Sequence, residues 1–349
     1  MIRVLVVDDS PVVREHLSSV LNCAGDIQVI GTARDGQEAI EFVRRNKPDV
    51  ITMDVNMPKV DGIDATRTIM EISPVPIVVV SAQINSEAVA TTLRAMEAGA
   101  VAVLETPPGL GHQNYDYAVN DFIQTVRVMS EVKVVRRWSQ TKLNQFAALG
   151  SKATEVSTDK RRIKLVAIGA SIGGPPALAS ILGKLDKRFP VPIVICQHIA
   201  AGFVEGLAGW LETATGFHVR LPADGEALMP GFAYVAPDGF QMGVTRADRI
   251  LLIRDEPEGG LRPAVSYMFR SAAQNFGASA VGVLLTGMGR DGAEELKLMK
   301  EAGAITIAQD AETSTVHGMP GEAIRLNAVS HILPPDSIAE VLNALAKNR

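Results

Sequence analysis

The run Leu165-Val-Ala-Ile-Gly-Ala-Ser171-Ile-Gly-Gly174 decides how the second half of the chain folds. Four apolar residues, too few for a helix, lead straight into glycines. That is the pattern of a buried parallel strand emptying into a tight turn. The glycines permit a sharp bend and close backbone approach, because no Cβ blocks positive φ. Pro175 and Pro176 then suit the first turn of a helix, where a missing N–H costs nothing. Ser171 is therefore expected at the C-terminal lip of a sheet, facing a helix N-terminus. Crevices at that lip bind ligands, and helix N-termini stabilise developing anions. Taken alone, the stretch reads equally well as a glycine-rich turn carrying an ordinary serine.

The sequence on either side continues the same alternation from Ile163 onward. Strand-like runs are expected over Lys164–Ile168, Ile193–Gln197, Phe232–Val235, Ile250–Ile253, Val281–Thr286 and Ile305–Ala308. Helical stretches are expected over Pro176–Leu185, Tyr267–Phe276 and Gly292–Ala302. Turn signals at Pro237-Asp-Gly239 and Arg246-Ala-Asp248 make Phe232–Ile253 an antiparallel hairpin attached to a doubly wound, mostly parallel α/β sheet.

Three strand ends of this segment present reactive side chains. The first carries Ser171. The second, Ile193-Val-Ile-Cys-Gln-His198, carries an imidazole. The third, Val281-Gly-Val-Leu-Leu-Thr286 with Gly287-Met-Gly-Arg-Asp291-Gly292 after it, carries a carboxylate on a glycine-rich loop. A serine hydroxyl is a poor nucleophile at neutral pH. It needs a base, and the base needs a group that fixes its tautomer and stabilises its charge. Ser171, His198 and Asp291 supply those roles. Singly, each has a duller explanation: a strand-capping histidine, a helix N-cap aspartate. Cys196 falls on the same strand face as His198 and reads as buried core. His218, His317 and His331 lie in no recognisable motif, although His317 sits in a loop that borders the site. Gly169-Ala-Ser171-Ile-Gly173 matches the nucleophile elbow of α/β-hydrolases, but the order Ser, His, Asp differs from the Ser, acid, His of that fold. The dinucleotide fingerprint fails because Ser171 replaces its middle glycine.

The first half of the chain alternates likewise. Strand-like runs at Val4–Val7, Val29–Ala33, Val50–Met53, Ile77–Val80 and Val101–Leu104 predict a five-stranded, open parallel sheet. Asp8 and Asp9 follow the first strand and Asp54 the third, so all three are expected beside the switch point. Three carboxylates in one crevice repel one another unless a cation is present, and hard oxygen ligands favour Mg²⁺. Such a cluster holds the metal against a phosphoryl group while one aspartate, most naturally Asp54, attacks phosphorus. Between the halves, Arg127 to Arg162 loses periodicity and carries Arg136-Arg-Trp138 and Ser157-Thr-Asp-Lys-Arg-Arg162, a linker that is helical at its start. The expected division is 1–126, a linker over 127–162, and 163–349.

Composition narrows the class. A chain of 349 residues, 47% of them apolar, can bury two cores. A net charge of −5 argues against nucleic acid and anionic membranes as partners. No apolar run reaches the length of a membrane span, and Met1-Ile-Arg-Val opens a strand with no signal-peptide anatomy. Cys23 and Cys196 alone make no disulfide scaffold and no zinc site. A cytoplasmic enzyme of signalling or metabolism is expected.

With these residues placed, two resemblances become specific. Residues 1–126 resemble the receiver domain of two-component response regulators, a flavodoxin-like fold. This implies Asp8 and Asp9 as Mg²⁺ ligands, Asp54 as phosphoacceptor, and Ser81 as the hydroxyl that follows the phosphoryl group. Nearly the whole chain resembles the CheB family of chemotaxis receptor methylesterases. The matching motifs are Ile168-Gly-Ala-Ser-Ile-Gly-Gly174, Gln197-His198, Ala236-Pro237, Arg262-Pro263 and Leu285-Thr-Gly-Met-Gly-Arg-Asp-Gly292. The resemblance implies Ser171 as nucleophile, His198 as general base and then acid, Asp291 as its orienter, and the Met288 backbone N–H in the oxyanion hole. It implies methylated glutamates, and for some members glutamines, of methyl-accepting chemotaxis receptors as substrates. It also implies a chemotaxis histidine kinase as phosphodonor, with phosphorylation relieving blockage by the receiver. No cofactor is expected in the catalytic domain.

The chain departs from the family pattern at four places. Thr106, or Glu105 on a shifted alignment, stands where receivers carry a lysine that pairs with the phosphoryl oxygens. Lys59 on a neighbouring loop is a poor stand-in, since loop lysines are usually solvated. Ile172 replaces a threonine, Gln241 a histidine and Ser266 an acid. The changes at 172 and 241 are expected to remove polar groups from beside the ester. Two other readings fit those departures: a non-catalytic, phospho-dependent interaction module, and a serine hydrolase for another ester or amide.

Overall fold

The computed structural model describes residues 1–81, 94–132, 134 and 162–347. The chain divides into two compact units, Met1–Glu155 and Val156–Arg349. Most of the expected linker, with Trp138 and its basic clusters, lies outside the described residues.

In the first unit, β1 (Ile2–Val7), β2 (Ile27–Ala33), β3 (Val50–Met53), β4 (Ile77–Ser81) and β5 (Ala102–Glu105) form one sheet in the order β2-β1-β3-β4-β5. Every pairing is parallel. The strands read as continuous apolar runs because helices cover both faces, leaving β3 and β4 wholly buried. Helices bounded within the described residues are α1 (Pro11–Asn22), α2 (Gly36–Arg45), α3 (Gly62–Ile72) and α4 (Tyr115–Ser130). Ser10, Asp35 and Asp61 cap the first three through side-chain bonds to the amides of Val13, Glu38 and Asp64. The strand order reverses between β1 and β3, and the crevice at that point holds the acidic residues.

The second unit is built on seven parallel strands in the order β14-β13-β12-β6-β7-β9-β8. They are β6 (Leu165–Ala170), β7 (Ile193–Gln197), β8 (His218–Arg220), β9 (Phe232–Val235), β12 (Ala280–Leu284), β13 (Ile305–Gln309) and β14 (His331–Leu333). The antiparallel hairpin is a separate two-stranded sheet, β10 (Gln241–Val244) with β11 (Ile250–Ile253). Phe232–Val235 therefore belongs to the parallel sheet and not to the hairpin. Its outward neighbour β8 is a three-residue edge strand with alternating exposure, too short to stand out as a run. The helices are α5 (Gly174–Lys184), α6 (Val204–Thr215), α7 (Val265–Phe276), α8 (Ala293–Glu301), α9 (Met319–Arg325) and α10 (Pro335–Lys347). β6 occupies the centre of the sheet, and all six of its residues are buried. Leu165 and Ala167 join Val194, Cys196, Val265, Phe269 and Leu284 in one core beneath α7 and α8. No helix among the described residues is long and apolar enough to cross a membrane.

Candidate active site

The three strands that carry the expected triad are neighbours: β12, β6 and β7 run side by side at mid-sheet. The last register pair of β6 and β7 is Ala170 with Gln197, and the His198 amide continues the ladder by donating to the Ala170 carbonyl at 2.9 Å. On the other side, the Ser171 amide donates to Thr286 O at 3.0 Å. The serine thus sits between the base-bearing strand and the glycine-rich loop. Beyond it the chain turns through Gly173, at φ +77°, and the Gly174 amide closes the turn on the Ser171 carbonyl at 2.8 Å. At Gly287, a Cβ would stand 2.8 Å from the Ser171 Cβ and 2.3 Å from Met319 Sδ, so only glycine lets this loop close on the serine.

His198 and Asp291 meet. Asp291 Oδ2 lies 2.9 Å from His198 Nε2, with both side chains largely buried. The contact does not meet hydrogen-bond geometry, so it is a close polar contact that becomes an ion pair only when the imidazole is protonated. The Asp291 carboxylate also accepts the Val265 amide at 2.7 Å and the Ser266 amide at 2.9 Å, both in the first turn of α7. Burial pushes the Asp291 pKa up, but His198 and the hydroxyl and amide of Ser266 outweigh it and hold the carboxyl below its usual range. The helix dipole acts in the same direction. With Nε2 turned to Asp291, Nδ1 is the nitrogen left for the serine. The Ser171 hydroxyl forms no hydrogen bond with the ring among the described residues.

The loops around the serine are tied together by buried polar groups. Thr286 accepts the Val316 amide on Oγ1 (2.9 Å), which also lies 2.9 Å from the Ile172 carbonyl, and its own amide donates to Gln309 Oε1 (2.9 Å). The Gly287 amide is taken by Val316 O at 2.9 Å, whereas the next amide, that of Met288, has no acceptor among the described residues. Gln197, 3% exposed, donates from Nε2 to the carbonyls of both Ser171 (2.7 Å) and His198 (2.8 Å).

One expectation about the departures from the family pattern is corrected. Gln241 does not line the ester site. It is fully buried on β10, donates to Leu261 O (3.1 Å) and accepts the Ala264 amide (2.8 Å), so it staples the segment leading into α7. Ser266 bonds to the triad loop, its Oγ accepting the Gly292 amide at 2.9 Å. The contacts of Gln197, Gln241 and Ser266 are ones that sequence reasoning did not give. A polar residue inside or just beyond an apolar run was the available signal.

The other flagged residues separate. Cys196 is wholly buried, and burial together with Asp291 pushes its thiol well above the ordinary value. His317 lies 3.3 Å from Ser314 Oγ on the loop that pins Gly287, and burial lowers its pKa against the pull of Asp310. His218 stacks on Phe232 and sits 3.3 Å from Glu212 on the surface. His331 is on edge strand β14.

In the first unit, one carboxylate oxygen from each of Asp8, Asp9 and Asp54 lies within 4.8 Å of the others. Burial pushes Asp8 up to about 6, opposed by the Ser10 amide and reinforced by Asp54 and Asp9. Asp54 is likewise raised by burial, against the Val55 and Asn56 amides. The mutual repulsion of these carboxylates and their all-oxygen donor set fit a hard divalent cation. Ser81 ends β4 and is buried, and the Thr106 amide donates to its carbonyl at 3.1 Å. Lys59 is engaged elsewhere: its ammonium contacts Asp35, the buried cap of α2, at 2.5 Å.

Residues 166–342 match the family model for CheB methylesterase, and residues 4–110 that for the response regulator receiver domain. The chain is 52% identical to protein-glutamate methylesterase/protein-glutamine glutaminase 1 of Syntrophus aciditrophicus, over 99% of both chains. The chain belongs to the CheB methylesterase family. A second relative, protein-glutamate methylesterase/protein-glutamine glutaminase of Nitrosospira multiformis, is 51% identical over 100% of this chain and 98% of its own. The crystal structure of the Thermotoga maritima CheB methylesterase catalytic domain overlays with a TM-score of 0.51 at 37% identity, covering 52% of this chain and 98% of that one. The seven-stranded unit is therefore the CheB catalytic fold, preceded by a receiver.

Proposed function

We propose that this CheB methylesterase hydrolyses glutamyl methyl esters on chemoreceptors, and deamidates glutamines there, through Ser171, His198 and Asp291. The observation that carries the reading is the His198–Asp291 pair at 2.9 Å on the strand end beside the serine. His198 takes the proton of Ser171 Oγ as Oγ attacks the ester carbonyl carbon. Asp291 remains ionised and stabilises the imidazolium. The Met288 amide, which has no acceptor of its own among the described residues, donates to the developing oxyanion. His198 returns the proton to the departing methoxide, releasing methanol and leaving an acyl group on Ser171. Water activated by His198 then yields glutamate. On glutamine the same sequence releases ammonia.

The receiver spans 1–126 and the catalytic domain 163–349, joined by a linker over 127–162. Asp8, Asp9 and Asp54 would hold Mg²⁺, which when bound neutralises phosphoryl oxygens. Asp54 accepts the phosphoryl group from a chemotaxis histidine kinase, and Ser81 follows it. Phosphorylation raises hydrolytic turnover. The chain acts in the cytoplasm. Ser171→Ala should abolish methanol release from glutamyl methyl ester peptides while leaving the melting temperature intact, and undiminished release would remove the mechanism.

A further inference from the structure

The β6 and β7 ladder ends at the bond from the His198 amide to the Ala170 carbonyl, at the proposed base on one strand and one residue short of the proposed nucleophile on the other. Past that rung the backbones diverge, one turning through Gly173 into α5 and the other leaving toward α6. What bridges them is a side chain. Gln197 Nε2 has two hydrogens, and it places them on the carbonyls of Ser171 and His198, at 2.7 and 2.8 Å. The reverse amide orientation would set oxygen against both carbonyl oxygens, so the donors must face this way.

The arrangement carries a cost. Gln197 Oε1 is buried with no hydrogen-bond partner. It presses against Gly174, where a Cβ would come within 2.0 Å of it. A buried amide used on one side only gives up stability relative to a fully satisfied one. Both of its bonds go to the backbones of the proposed nucleophile and base. We infer that Gln197 is a positioning residue for the hydrolysis: its amide serves as one more rung that fixes the distance between Ser171 and His198. This inference rests on the proposed reading of Ser171 as nucleophile.

The test uses the full chain with Gln197→Met, which keeps length and removes both donors, and Gln197→Glu, which regains one donor when protonated. Methanol release from a glutamyl methyl ester peptide gives kcat and KM. The rate of Ser171 modification by a serine-directed phosphonate reports nucleophile activation without substrate binding. Gln197→Met should lower kcat and the labelling rate together by about tenfold to a hundredfold, the scale of a misplaced reacting group, with KM unchanged. Measured well below its melting temperature, Gln197→Glu should regain ground on acidification, its kcat relative to the parent rising as pH falls. Parent-like kcat and labelling in both variants would overturn the inference, as would losses that merely track the unfolded fraction. If Ser171→Ala is inactive while Gln197→Met is fully active, only this inference fails. If Ser171→Ala retains activity, the underlying mechanism fails.

Discussion

Asp291 concentrates much of the site's chemistry in one carboxylate. It faces His198 Nε2 at 2.9 Å and receives two amides from the first turn of α7, so its charge is held by the fold before any substrate binds. Its pKa is depressed below the carboxylate's ordinary 3.8 because those partners outweigh burial. A carboxyl with a lowered folded pKa contributes stability above its unfolded pKa and loses it as pH falls through the folded one. Asp291→Asn should therefore flatten the acid limb of a melting-temperature profile below about pH 4, where the parent falls. It should also cut kcat by about 10³–10⁴-fold, the scale seen when a triad acid is neutralised. A variant with parent-like kcat would show that the pairing is structural only. His317 acts in the same direction, in a higher pH window. Burial lowers its pKa from 6.5, so on acidification the unfolded chain takes up a proton that the folded chain refuses, and stability falls. His317→Gln should lessen the loss of melting temperature below pH 6.5 relative to the parent. An identical slope in the two proteins would contradict that assignment.

At the scale of elements, the site is three strand ends and the loops that lock them. Gly287 is where the glycine-rich loop comes closest to the serine, and Gly287→Ala would press a methyl group onto Ser171 Cβ and Met319 Sδ. Phosphonate labelling of Ser171 should drop sharply in that variant while far-UV circular dichroism stays native. Labelling at the parent rate would mean the loop can move aside. Much of this architecture was legible in the sequence because central parallel strands are buried on both faces and so read as short apolar runs ended by glycine. The three candidate residues stood out in the sequence because each lies at or just beyond such an ending. Other elements were not. β8 and β14 are three-residue edge strands, with nothing in their patterning to separate them from loop. The turn at Pro237-Asp-Gly239 suggested that Phe232–Val235 was hairpin, yet pairing with β7 puts it in the parallel sheet. Gln241 looked like a site-lining residue, since nothing local says that its amide will be spent on Leu261 and Ala264.

At the scale of the whole molecule, a receiver precedes a hydrolase in one chain, and the receiver carries the acidic cluster without the usual lysine. Thr106 stands in that place, and Lys59 is held by Asp35. The cluster nonetheless keeps its three carboxylates together, Asp8 raised to about 6 by burial and by the neighbouring charges of Asp54 and Asp9. Acetyl phosphate with Mg²⁺ should label the parent chain and leave Asp54→Asn unlabelled. Labelling that persisted in the variant would place the acceptor elsewhere. Methanol release by the parent should rise on the same treatment and stay flat in Asp54→Asn, whereas equal turnover before and after would separate the receiver from the chemistry.

The most direct measurement on the whole account is mass spectrometry of the full chain after exposure to a serine-directed phosphonate, with peptide mapping of the adduct. The mechanism predicts a single adduct on the peptide bearing Ser171, formed far more slowly in His198→Gln. A chain that takes up no label at Ser171, or takes it up equally fast without the imidazole, would contradict it.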